Sequence, residues 1–129
     1  MIGKFLLGLT VIGFACAGVA LAQQAGIKRT PLQKAEFPDG YATVTAMAEV
    51  PAGGSPGRHT HPGLEIGYML EGEVDLLVDG QPARHLKPGD SYQIAAGTVH
   101  DALVSDDKAL KFIGIYVVDK TRPLASPAP

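Results

Sequence analysis

Apolar and polar residues alternate with a period of two along much of the chain beyond residue 22. The pattern is clearest at 73–79, where Val74, Leu76 and Val78 share one face and Glu73, Asp75 and Asp79 the other. Successive side chains of a strand point to opposite faces, so this pattern predicts a half-buried β-strand. Residues 41–50, rich in β-branched and small side chains, predict another. Shorter strands are predicted at 58–61, 65–70, 81–86, 91–94, 99–104 and 110–118. Turn chemistry separates them: the Gly- and Pro-rich run 51–57, Pro62-Gly63, Asp79-Gly80, Lys87-Pro88-Gly89-Asp90 and Ser105-Asp106-Asp107-Lys108. Both Asp79 and Gly80 tolerate positive φ, which makes that pair a strong hairpin signal. No helical period persists for three turns. Turn signals at about eight- to twelve-residue spacing predict one all-β domain, a sandwich or barrel.

Around that barrel, 41–118, lie two less regular segments. Residues 23–40 are polar and hold Pro31, Pro38 and Gly40, which predicts an N-terminal arm or first edge strand. Residues 119–129 are Pro-rich without periodicity and form a tail, either loose or laid across the barrel.

Residues 1–22 read as a cleavable signal peptide. Lys4 supplies the positive start, an uncharged apolar stretch follows, and Ala20-Leu21-Ala22 gives the small-x-small pattern a signal peptidase accepts. Cleavage after Ala22 would leave a periplasmic or secreted protein, with no membrane association once the signal is gone. The alternative is an uncleaved anchor, because the stretch is near the lower limit for a bilayer span. Cys16, the only cysteine, would leave with the signal, and Gly13 stands where a lipidation signal carries an aliphatic residue. The mature chain then has no thiol for disulfides, zinc or nucleophilic attack.

Composition narrows the function classes. Apolar residues make up 46% and charged residues 19%, enough for a core and too little charge for a disordered chain. Lys+Arg number 11 against 13 Asp+Glu without a basic run, which argues against nucleic acid as a partner. With 16 Gly and 10 Pro, a helical bundle is disfavoured. The G-x-G-x-x-G pattern for nucleotides is absent.

Three of the four histidines fall into a metal-ligand pattern. His59 and His61 are two apart on a predicted strand, so both imidazoles face the same way. Glu65 follows a Pro-Gly bend and can return its carboxylate to the same point. His100 opens a later strand that a closed barrel can bring opposite. Three imidazoles and a carboxylate suit one divalent transition metal: manganese or iron first, with zinc, nickel, cobalt or copper as alternatives.

These residues carry a family resemblance. Gly53, His59, His61, Glu65 and Gly72 match the spacing of the first motif of the cupin superfamily, and the run from His59 to Gly67 resembles the germin branch. Gly89, Ala95, Gly97, His100 and Val104 match the spacing of the second motif, with Ala95 in place of Pro and Val104 in place of Asn. The sequence thus resembles a small single-domain cupin from about Tyr41 to Val118. The resemblance implies a jelly-roll β-barrel with a metal held by His59, His61, Glu65 and His100. Without the Asn, germin-type oxalate oxidation is disfavoured.

The expected function is a metal-dependent oxidoreductase, dioxygenase- or oxidase-like, acting on a small organic substrate. The alternative is a non-catalytic cupin that binds a metal or small ligand. Fold does not choose between them, and no general base stands out beyond the ligands. Open sheet edges and apolar strands allow a homodimer. Other residues have plainer expected roles. His85 is read as a surface residue, Arg58 as solvated or paired with an acid, and Asp101 as pointing outward. Glu71, Glu73 and Asp75 read as a solvated edge, and Met47, Met69 and Ile94 as barrel lining. Tyr68 and Tyr92 read as packing residues with a phenol available to a ligand.

Overall fold

A computed structural model describes residues 24–129, and the signal-peptide reading of 1–22, with Cys16, falls outside them. Ten strands run in chain order: β1 Lys28–Ala35, β2 Tyr41–Val50, β3 His59–Thr60, β4 Gly63–Glu71, β5 Val74–Val78, β6 Arg84–Leu86, β7 Ser91–Ile94, β8 His100–Val104, β9 Leu110–Asp119 and β10 Ser126–Pro127. They form two antiparallel five-stranded sheets, β1-β2-β9-β4-β7 and β10-β3-β8-β5-β6. No helix occurs among the described residues, and none there is long and apolar enough to cross a membrane.

The alternation read from the sequence is the alternation of burial. Val74, Leu76 and Val78 are buried, and so are Ala42, Val44, Ala46, Ala48 and Val50 of β2. Met69 and Ile94 line the interior as expected. Met47 does not: it lies between the inward-facing Ala46 and Ala48, so strand alternation puts it on the outer face, half-buried. Two predicted strands are shorter than expected. Arg58 and His61 lie outside β3, whose two residues are all that pairs between the 51–57 loop and the Pro62 bend. Strand β6 begins only at Arg84, because Pro82 has no N–H for the ladder. At the Asp79-Gly80 turn only Gly80 has positive φ, and Gln81 N–H closes the turn onto Val78 O.

Among the described residues the core has two apolar clusters. One holds Val50, Met69, Leu76, Tyr92, Leu110 and Phe112; the other holds Ala42, Val44, Ala46, Tyr116, Val118 and Leu124. Their boundary crosses β2 between Ala46 and Ala48 and β9 between Phe112 and Tyr116, at Gly114. Among the described residues the buried polar side chains are Arg29, His59, His61, Glu65 and His100.

Candidate metal centre

Glycines make room for this polar group. On the inner face of the β1-β2-β9-β4-β7 sheet, Gly67 of β4 lies opposite both Gly114 of β9 and Tyr92 of β7. A Cβ at Gly67 would overlap the Tyr92 ring, and one at Gly114 would press on the Tyr116 phenol. Both tyrosines therefore lie across a floor without side chains. Neighbouring Glu65, opposite Tyr116 and Ile94 in the ladder, projects inward between them. His59 and His100 face each other across β3 and β8. His61 sits just past the end of β3, where Gly97 N–H donates to its carbonyl.

One ligand atom from each of His59, His61, Glu65 and His100 lies within 4.8 Å of the others, and all four residues are buried. The structure thus brings together every residue singled out for the site. Imidazole centroids are 4.2 Å apart for His59 and His100, 5.0 Å for His59 and His61, and 5.2 Å for His61 and His100. The second nitrogen of each ring is occupied. Nδ1–H of His59 donates to Gly57 O at 2.7 Å, that of His61 to Leu124 O at 2.6 Å, and that of His100 to Thr98 O at 2.9 Å. Backbone carbonyls accept only, so Nδ1 holds a proton and, in the neutral ring, Nε2 keeps its lone pair for the interior. Glu65 is arranged alike: Oε1 accepts from the Tyr92 hydroxyl at 2.7 Å, and Oε2 is left over.

The leftover atoms converge. Nε2 of His61 and Nε2 of His100 each lie 3.0 Å from Glu65 Oε2, yet all three are buried without a hydrogen-bond partner. Buried polar atoms are normally paired. Three aimed at one another without bonding geometry fit a cation between them. A set of imidazole nitrogens and one carboxylate oxygen has the chemistry for a divalent transition metal. Burial pulls the His59 imidazole down to about 4, only partly opposed by its bond to Gly57, so the ring is neutral and ready to ligate. Burial alone would raise the Glu65 carboxyl, but His100 and His61 hold it well below the usual carboxylate range. Burial opposes charge on His100 too, and the Glu65 carboxylate outweighs it, raising His100.

Several positioning residues escaped the sequence reading. Asp101 Oδ1 accepts from Ser55 Oγ at 2.6 Å, and Ser55 Oγ in turn accepts from Gly57 N–H at 2.9 Å. This chain fixes the loop whose Gly57 carbonyl orients His59. Leu124, in the tail, holds His61, while β10 pairs with β3. Tyr92 contributes its phenol to Glu65 as well as packing. Arg29 is buried inside what read as a polar arm; its only sequence signal is its spacing of two from the apolar Ile27. Arg58 pairs with Asp79 through two 2.9 Å bonds, and His85 is exposed. Ala95 still closes its turn, with Thr98 N–H donating to its carbonyl, and Val104 packs in the first core cluster.

The family model for the cupin domain matches residues 46–117. The chain belongs to the cupin family. Dimethylsulfoniopropionate lyase DddQ of Ruegeria pomeroyi is 41% identical over 51 residues, 40% of this chain and 25% of that protein. The chain thus spans about a quarter of the length of this curated relative. The crystal structure of that lyase superposes with a TM-score of 0.65 at 26% identity, covering 79% of this chain and 51% of the other. A cupin-like protein from Thermotoga maritima gives 0.65 at 26%, covering 79% and 74%. A Klebsiella pneumoniae protein with a double-stranded β-helix domain gives 0.66 at 20%, covering 81% and 86%, a likeness of fold.

Proposed function

We propose that this cupin is exported, binds one divalent transition metal through His59, His61, Glu65 and His100, and uses it as an oxidoreductase on a small organic substrate. The observation that carries the metal reading is the trio of buried, unpartnered atoms, His61 Nε2, Glu65 Oε2 and His100 Nε2. Manganese or iron is the proposed ion, with zinc, nickel, cobalt or copper as alternatives, since imidazole and carboxylate donors accept all of them. Once bound, such a metal supplies Lewis-acid or redox chemistry to a substrate at its open positions. The chain's own contribution is orientation. Three backbone carbonyls fix the imidazoles, Tyr92 fixes Glu65, and the apolar walls of Leu76, Ala102 and Phe112 restrict water.

A lyase is the second reading, favoured by the segment shared with the dimethylsulfoniopropionate lyase. One experiment separates these readings from a binding module. The protein is purified from the periplasm or medium, its N-terminus sequenced and its metal measured. Oxygen uptake and elimination products are then followed on a panel of small organic acids, phenols and diketones. Oxygen uptake with stoichiometric iron or manganese supports the oxidoreductase, and elimination without oxygen supports the lyase. Stoichiometric metal without turnover supports a binding cupin, and absence of metal overturns the site reading.

A further inference from the structure

Arg29 is the one buried residue of β1, at 6% exposure, with every later residue of that strand exposed. Its partners are all neutral. Nε–H donates to the Tyr116 hydroxyl at 3.1 Å, Nη1–H donates to Gln24 Oε1 at 3.1 Å, and the guanidinium lies 5.5 Å from the centroid of the Tyr116 ring. Among the described residues no carboxylate pairs with it. A buried guanidinium without an anion is costly, because desolvation is not offset by an opposite charge. Arg29 also lines the same small cavity as His59, Glu65, Tyr92 and His100, a space of about 20 Å³.

Charge in that cavity is unbalanced. Three neutral imidazoles, one carboxylate and a divalent ion leave a single positive charge, and Arg29 adds a second. A buried site with this excess favours an anion. We infer that Arg29 is the anion-selecting residue of this site, and that the ligand presents a small carboxylate to the space between Arg29 and the metal ligands. The planar guanidinium fork matches the two oxygens of a carboxylate. That space is about one water in size, so a carboxylate enters only as the side chains around it move apart. A separate hollow of about 430 Å³, lined by Gln24, Ala25, Pro56, Gly57, Arg58 and Ala125, lies on the other side of Pro56. Pro56 walls both spaces, and Gln24 stands between them, accepting from Arg29 through Oε1 and donating from Nε2 to Pro56 O at 2.8 Å.

The charge count rests on the metal reading, and the test separates the two. Wild type, Arg29→Gln and Arg29→Lys are loaded with cobalt(II), metal stoichiometry is measured, and visible absorption is followed during titration with formate and with its neutral counterpart formamide. Expected are equal metal contents, with wild type preferring formate over formamide at least tenfold. Arg29→Gln should lose that preference without weakening formamide binding, and Arg29→Lys should lose several-fold because it keeps the charge and not the fork. The same formate-to-formamide ratio in wild type and Arg29→Gln overturns the inference, whereas a merely structural Arg29 would weaken both probes alike. If Arg29→Gln does not fold, an unchanged ratio in Arg29→Lys overturns it. If no variant takes metal, the metal reading fails by itself. Formate is then titrated into metal-free protein while the Arg29 Nε–H resonance is observed. A saturable shift upholds the anion site, and its absence overturns it.

Discussion

Two histidine–carboxylate clusters in this protein are built from the same side-chain types and behave in opposite ways. In the interior, His61 and His100 approach Glu65 Oε2 to 3.0 Å without bonding, and all three atoms are buried. At the surface, His85 gives Nδ1 to Asp75 at 2.8 Å and Nε2 to Glu73 at 2.7 Å, with all three side chains about half exposed. The outer histidine has both nitrogens bonded to carboxylates and points its valences apart. Each inner histidine has one nitrogen bonded to a backbone carbonyl and the other left over. What distinguishes a candidate metal centre from a solvated ion-pair cluster is therefore the partner of the second nitrogen.

The largest expected effect breaks one cluster and spares the other. His61→Ala should lose most of the bound metal, while His85→Ala should keep wild-type content by elemental analysis. Equal contents would erase the distinction. A smaller effect comes from Tyr92→Phe, which removes the donor to Glu65 Oε1 and leaves every ligand in place. Metal affinity should fall about 10–100-fold, the usual cost of losing such an orienting bond, as read by competition with a chelator. Unchanged affinity would show that Glu65 is held by packing alone. Gly67→Ala drives a methyl into the Tyr92 ring. It should lower unfolding stability by about 1–3 kcal/mol through overpacking, measured by denaturant titration.

The subtlest contrast is in pH. Burial lowers His59 to about 4, so it is already neutral near pH 6. His100, raised by Glu65 against its burial, must release a proton before it can ligate. Metal affinity should thus fall by about tenfold per pH unit as pH drops below the raised His100 value, and more steeply below about 4 as His59 also protonates. A flat profile from pH 8 to 5 would contradict the ligand set. His85 has the opposite sign. Asp75 and then Glu73 favour its charged form. Its contribution to stability is present below the ordinary histidine value and is lost as pH rises through the raised one. Proton NMR of the metal-free protein should show His85 titrating above 6.5 and His59 near 4.

The sequence by itself determined most strands along the chain, most of their interior faces and the four residues that meet. Alternation in β5 has one physical cause, side chains on opposite faces, and local spacing is enough to reveal it. His59-x-His61 and Glu65 are also local, separated only by a bend. Only the tertiary structure decided what surrounds them. Tyr92 reaches Glu65 because Gly67 and Gly114 meet across strands far apart in the chain, and Leu124 reaches His61 because β10 folds back onto β3. Arg29 sits beside the ligands because β1 ends its burial there, in a segment whose polar composition predicted exposure. Long-range contacts of this kind leave no period in the sequence, because they depend on which strands become neighbours and not on which residues alternate.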